Sequence, residues 1–297
     1  MSEATAQDPG MTAGAEGAAR RAWLARALRH PSFVVGAALT LLLVGMALVS
    51  LVWTPYEPTA MALRDRYAPV SWSHWLGTDK FGRDVLSNIM AGAQLSIAVG
   101  VVAVLIGVTA GSALGLWAAA RKGWVEELVM RFSDFAFAFP AILSAIMITV
   151  ILGPGAVNSI LAIGIFNIPV FARLTRAAAN GVWTREYVLA ARAAGKGGVR
   201  ITVEHVVPNI LSVILVQATI QFAIAILAEA ALSYLGIGSQ PPQPSWGRML
   251  NEAQLQMYKN AWLAVYPGIA IALSVLGLNL LGDGLRDLTD PRLVRQR

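Results

Sequence analysis

Six apolar runs constrain this chain of 297 residues more than any other feature. They lie near 33–53, 93–120, 130–152, 156–173, 206–237 and 261–282. A helix needs about 20 residues to cross a bilayer core, and these runs reach or nearly reach that length. The first and second contain no charged residue; the third holds Asp134 and Pro140; the fourth is short and carries Asn167 and Pro169. The expectation is an all-α polytopic membrane protein of about six transmembrane helices. Composition agrees: 56% of residues are hydrophobic and 13% charged, against roughly 25% charged in a soluble domain.

Basic residues set the orientation, because Lys and Arg accumulate on the cytoplasmic side. Arg20, Arg21, Arg26 and Arg29 precede the first run, and Arg286, Arg292, Arg295 and Arg297 follow the last. Arg121 and Lys122 lie between the second and third runs; Arg176, Arg185, Arg192, Lys196 and Arg200 lie between the fourth and fifth. With six crossings these regions share one side, which puts both termini in the cytoplasm. In the opposite segment 54–92, acidic residues balance Arg64, Arg66, Lys80 and Arg83. The net charge of +6 is therefore read as membrane topology, and no nucleic-acid partner is expected. About 30 residues precede the first run with no small-residue cleavage site after it, so a cleavable signal peptide is not expected.

Catalytic signals are missing. There is no cysteine, and Gly195 to Gly198 (GKGG) lacks the frame of a phosphate-binding loop. His30, His74 and His205 are too scattered to suggest a metal centre. The chain is read as a non-enzyme with no catalytic residue, no metal and no cofactor of its own.

Polar residues inside the spans are functional candidates by default. Glu229 could bond within the bundle or line a pathway. Gln217 and Gln221 are four apart and share a helix face, as do Asn279 and Asp283; amides suit a peptide backbone because they both donate and accept. Asp134 follows Arg131 by three residues, which predicts an ion pair. Gly100, Gly107, Gly111 and Gly115 lie on one face of the second run, fitting close packing either within the chain or against another subunit. In Leu76 to Asn88 (LGTDKFGRDVLSN), Thr78 or Asp79 could cap a helix, with Asp79–Arg83 and Lys80–Asp84 as i,i+4 pairs.

The polar stretch Glu186 to Asn209 (EYVLAARAAGKGGVRITVEHVVPN) reads as helix, turn, helix. Gly195 and Gly197-Gly198 allow backbone angles that other residues resist, and Pro208 suits the first turn of a following helix. Arg185, Arg192, Lys196 and Arg200 would share one face if the segment were one continuous helix. Beside them, Tyr187, Val188, Ala190, Ala191, Ala193 and Ala194 form a small, apolar surface that could enter a partner's groove. Ala190-Ala191, Gly195 and Pro208 have the spacing of the EAA loop in permease subunits of bacterial ABC importers, and the chain resembles that family. It departs at Leu189, where the family has Glu, and at His205, where the family has an apolar residue. Leu76 to Asn88 resembles the outer signature of C-type permeases from peptide and nickel importers, with Asn88 where relatives often have Arg. Ala228 to Leu250 and Gly282 to Arg292 extend the resemblance over about residues 31–292.

The resemblance implies a type I ABC importer permease fold in the plasma (cell inner) membrane. Its regions would be a cytoplasmic tail 1–30, expected to be disordered; a first helix and external segment 31–92; a core 93–284 with coupling loop 180–205; and a cytoplasmic tail 285–297. Glu186, Tyr187, Ala190, Ala191, Arg192, Gly195, Arg200, His205 and Pro208 would receive an ATPase. Gly77, Thr78, Asp79, Gly82, Arg83 and Asp84 would form the external signature. Gln217, Gln221, Glu229 and Asn279 are the pathway candidates. Implied partners are a homologous B-type permease, two ATP-binding subunits carrying ATP and Mg, and an extracytoplasmic substrate-binding protein. The implied substrate is a dipeptide or short oligopeptide. A nickel chelate is the alternative within the family, and a secondary transporter the alternative outside it.

Overall fold

The computed structural model describes residues 24–289. Among them the chain is helical, and its one β-bridge joins Thr78 to Asp84. Helix α1 spans Pro31–Val52; α2, Val85–Ile106; α3, Ser112–Arg121; α4, Gly123–Phe137; α5, Ala141–Leu152; and α6, Ala156–Trp183. After these come α7 (Glu186–Ala193), α8 (Gly198–Ile201), α9 (Val207–Tyr234), α10 (Trp246–Gln254) and α11 (Trp262–Thr289). A π-turn at Gly107–Gly111 joins α2 to α3, and another at Thr202–Val206 joins α8 to α9. Both joined rods, Val85–Arg121 and Gly198–Tyr234, are 37 residues long. At 1.5 Å rise per residue each measures about 55 Å, well beyond a hydrocarbon core of about 30 Å, so their ends project past it or the rods tilt.

Among the described residues five helices are long and apolar enough to cross a membrane, and the bent pair α4–α5 makes a sixth candidate. The run at 130–152 is therefore not one straight helix. It breaks before Pro140 and turns by 89°, since proline disfavours helical geometry in the residue before it. The short fourth run gives the opposite result. It grows into the 28-residue α6 with Pro169 inside, as membrane helices tolerate when neighbours support the freed carbonyl. Residues 24–29, placed in the tail expected to be disordered, are helical, with Ala27 buried. Residues 1–23 and 290–297 of the two tails lie outside the described residues.

Glycine sets how closely the spans approach. A Cβ on Gly107 would stand 2.5 Å from the Asn167 side chain; on Gly111, 2.4 Å from the Ile168 carbonyl oxygen; on Gly115, 2.5 Å from the Ala172 carbonyl oxygen. Gly100 is covered by the Phe222 ring. This glycine face thus serves packing within the chain, seating α2 and α3 on α6 and α9. Gly36 of α1 meets the backbone of Leu281, and Gly284 of α11 meets Phe33, so α1 and α11 close on each other from both sides.

Ion pairs hold the elbow. Asp134 pairs with Arg173 of α6, not with Arg131, which instead bonds Glu127 at 2.8 Å. Arg176 of α6 donates to Glu126 of α4 at 2.6 Å. At the other end of the bundle, the fully buried Trp246 donates its indole N–H to the Ile89 carbonyl at 2.9 Å, fastening α10 to α2.

Gly111→Val should lower the thermal stability of the detergent-solubilised chain, because overpacking costs about 1–3 kcal/mol and the atom it meets is backbone. Gly181→Ala, where a Cβ meets nothing within 4 Å, should be neutral or stabilising by up to about 1 kcal/mol. Equal melting temperatures for the two variants would contradict glycine-limited packing.

Candidate functional site

Helix α7 projects from the end of α6, on a short turn at 184–185. Glu186 occupies its first turn and Arg192 its last, matching the helix dipole at both ends. Val188 is its buried anchor, packed in one cluster with Ala179, Val182, Ile201 and Val206. That leaves Glu186, Tyr187, Leu189, Ala190, Arg192 and Ala193 exposed, with Ala191 half-buried.

The helix ends in a Schellman motif. Gly195 N–H donates to the Arg192 carbonyl at 3.0 Å and Lys196 N–H to the Ala191 carbonyl at 3.1 Å, the 5→2 and 6→1 bonds of that cap. Gly195 takes φ +83°, and a Cβ there would meet nothing within 4 Å. The left-handed angle thus explains the glycine, and its outward side is open. Gly197 has an ordinary φ of −69°, so of the three glycines in this turn only Gly195 uses the left-handed region.

Glu204 then clamps the turn. It accepts from Lys196 Nζ at 2.6 Å and Arg200 Nε at 2.5 Å. Hydrogen bonds from Arg200 and then Lys196 hold its carboxyl well below the usual range, at about 2. His205 sets its ring edge-on to Tyr187, centroids 6.0 Å apart. The basic residues do not form one stripe, because the break at 194–197 interrupts the helix: Lys196 and Arg200 turn to Glu204, and Arg185 and Arg192 stay exposed.

Pro208 sits in the first turn of α9, as expected of a proline there, but α9 runs back without a break through the π-turn into α8. The rod already begins at Gly198, and Pro208 follows the π-turn, in which Val207 N–H reaches back five residues to the Thr202 carbonyl. A proline in a regular helix lacks a donor and crowds the carbonyl four residues back. The wider turn sits where that crowding would fall.

The pathway candidates separate. Gln221 is buried and donates to Asn167 Oδ1 at 2.8 Å; Asn167 donates weakly to the Ala103 carbonyl at 3.4 Å. Both line a cavity of about 470 Å³ between α5, α6 and α9, otherwise walled by apolar residues such as Ile163, Phe166, Val170 and Ile224. Gln217, half-buried, and Asn279, half-buried on α11, do not line it. Asn167 was the missing partner; its polarity within a lipid-spanning run was the available signal. Glu229 lines none of the described cavities. It is buried and accepts from Ser233 Oγ at 2.6 Å, and Ser233 Oγ in turn accepts from Ser239 N–H at 2.8 Å. Its place is under the turn that leaves α9.

The external signature is an ordered clasp, not a helix. Gly77 and Gly82 both take φ +75°, and a Cβ on either would strike a backbone carbonyl, of Ala68 and Ala62 respectively. Thr78 accepts from Ala68 N–H at 2.8 Å. Asp79 accepts from Phe81 and Arg83 N–H at 2.8 and 2.9 Å and pairs with the Arg83 guanidinium, which also reaches Glu252 of α10. The helix cap is Asp84, not Thr78 or Asp79; it accepts from Ser87 N–H at 2.8 Å. Lys80 lies over the Phe81 ring at 4.8 Å instead of pairing with Asp84.

Residues 111–295 match the family described as binding-protein-dependent transport system inner membrane component. A glutathione transport system permease protein of Pectobacterium atrosepticum is 41% identical over 270 residues, 90% of this chain and 89% of the relative. A di/tripeptide transport system permease protein of Pseudomonas aeruginosa is 41% identical over 89% of each chain. A dipeptide transport system permease protein of Alkalihalophilus pseudofirmus is 45% identical over 75% of this chain and 73% of the relative. The fold resembles a chain from inward-facing structures of the MetNI methionine ABC transporter, with TM-score 0.55 and 21% identity over 68% of this chain and 96% of that one.

Two outcomes follow. Gln221→Leu should destabilise the chain by about 1–3 kcal/mol, the cost of an unpaired buried polar group, whereas Gln217→Leu should leave the melting temperature unchanged. Glu204→Gln should loosen the turn at pH 7, seen as faster amide exchange over 194–204. Because the folded carboxyl titrates below its ordinary value, the clamp is fully present above about pH 4.5 and is lost as pH falls toward about 2.

Proposed function

The chain belongs to the family of binding-protein-dependent transport system inner membrane components, and from that premise we propose that it is the C-type permease subunit of an ATP-driven importer of dipeptides or short oligopeptides. Its partners in this reading are a homologous B-type permease, two ATP-binding subunits and an extracytoplasmic substrate-binding protein. The relatives named for dipeptide, di/tripeptide and glutathione transport support the substrate class.

The observation that carries the coupling role is α7: a short helix anchored at Val188, capped at Gly195 and clamped by Glu204, with a mixed apolar and basic face turned outward. ATP and Mg belong to the partner subunits, and the chain itself hydrolyses nothing. Closure of the ATPases pushes on α7. The push passes into α6 through the turn at 184–185 and into α9 through the rod that begins at Gly198, the two helices whose Asn167 and Gln221 line the largely apolar cavity. Both termini and α7 lie in the cytoplasm; segment 54–84 lies outside.

Gly195→Asp tests the coupling. It adds bulk and charge where nothing in this chain stands, at a left-handed φ of +83° that strains Asp locally by about 1–2 kcal/mol, so membrane insertion and the transmembrane helices should persist while ATPase docking or ATP-driven uptake falls. Wild-type uptake by the fully assembled variant would remove Gly195 from the contact. Arg64→Cys tests the sidedness, at an exposed position of the external segment in a chain with no cysteine of its own. Its thiol should react with an impermeant maleimide from outside intact cells; labelling only from the cytoplasmic face would invert the topology.

A further inference from the structure

Residues 69–75 read PVSWSHW and contain no Asp, Glu, Lys or Arg. The loop is tightly built. Ser71 N–H donates to the His74 carbonyl at 2.9 Å, His74 N–H donates to Ser71 Oγ at 3.1 Å, and the Trp75 indole donates to the Trp72 carbonyl at 3.2 Å. Yet it holds Trp72 97% exposed and Trp75 59% exposed, with Val70 also exposed. A loop that braces itself in order to display two tryptophans is built to meet another phase or surface.

Its position favours lipid. Tyr56, four residues past the end of α1, donates its hydroxyl to the Ser73 carbonyl at 2.7 Å and packs its ring on His74 at 4.6 Å. On the other side His74 Nδ1 lies 3.0 Å from Asp84, the cap of α2. The loop is thus pinned between the ends of two spans, against the exposed Tyr56, and the exposed Trp53 lies directly after the last residue of α1. Amphipathic rings concentrate where spans leave the hydrocarbon. We infer that the 69–75 loop is a membrane anchor whose Trp72 and Trp75 seat in the lipid headgroup layer around the first two spans. A protein partner is the competing occupant; the loop's attachment to Tyr56 at the end of α1 and to the Asp84 cap of α2 favours lipid.

The test labels Trp72→Cys with an environment-sensitive fluorophore, in the full chain assembled with cysteine-free partner subunits in lipid nanodiscs. Arg64→Cys, exposed in the charged part of the same external segment, serves as the aqueous reference. Expected is emission blue-shifted from the reference, with intensity lost to headgroup-level nitroxide lipid and little lost to iodide. Quenching chiefly by iodide would place the loop in water, and quenching by neither would place it under a protein; either overturns the anchor. Should Trp72→Cys fail to assemble, Val70→Cys reports on the same loop. Nanodiscs expose both faces, so the result does not depend on the proposed sidedness or substrate.

Discussion

Backbone contact through glycine is the interaction on which the rest of this structure depends. In lipid, helices gain little from burying apolar side chains against each other, so association rests on close packing and a few polar bonds. Gly107, Gly111 and Gly115 let α2 and α3 touch the backbone and Cβ atoms of α6; Gly36 and Gly284 do the same between α1 and α11. Once α6 is fixed in this way, Asn167 meets Gln221 across the bundle, and the polar floor of an apolar cavity is made.

The proposed coupling surface inherits its rigidity from the same frame. Helices α6 and α9 hold the two ends of the loop, and Val188 inserts into their shared cluster. The Schellman cap at Gly195 and the Glu204 clamp then fix the turn. A short helix held at both ends and underneath can pass a push to the spans; one held only by its own hydrogen bonds would be marginal in water.

Much of this was legible in the sequence, and the failures have physical causes. Uniform apolarity marked the spans, and Gly195 marked the turn because no other residue adopts its angle as readily. The misreadings came where local rules meet tertiary contacts. Pro140 broke its helix while Pro169 did not, because membrane neighbours decide whether a freed carbonyl is tolerated. Pro208 does lie in the first turn of α9, but the rod extends back to Gly198 through a π-turn, which carries no residue signature. Asp79–Arg83 has helical spacing and does pair, but Gly77 and Gly82 at φ +75° make the segment a turn. Those two glycines were a signal that the charge spacing concealed. Asp134 chose Arg173 over Arg131 through the angle between two helices, which spacing along one helix cannot report.

The most direct test of a peptide-importer subunit is uptake by the reconstituted complex. The chain would be assembled in liposomes with its partner permease, ATPases and candidate binding proteins, and loaded with labelled dipeptides or with nickel. The account predicts ATP-dependent accumulation of dipeptide that stops without the binding protein. Accumulation of nickel without peptide, or peptide movement that ignores ATP and follows an ion gradient, would contradict it.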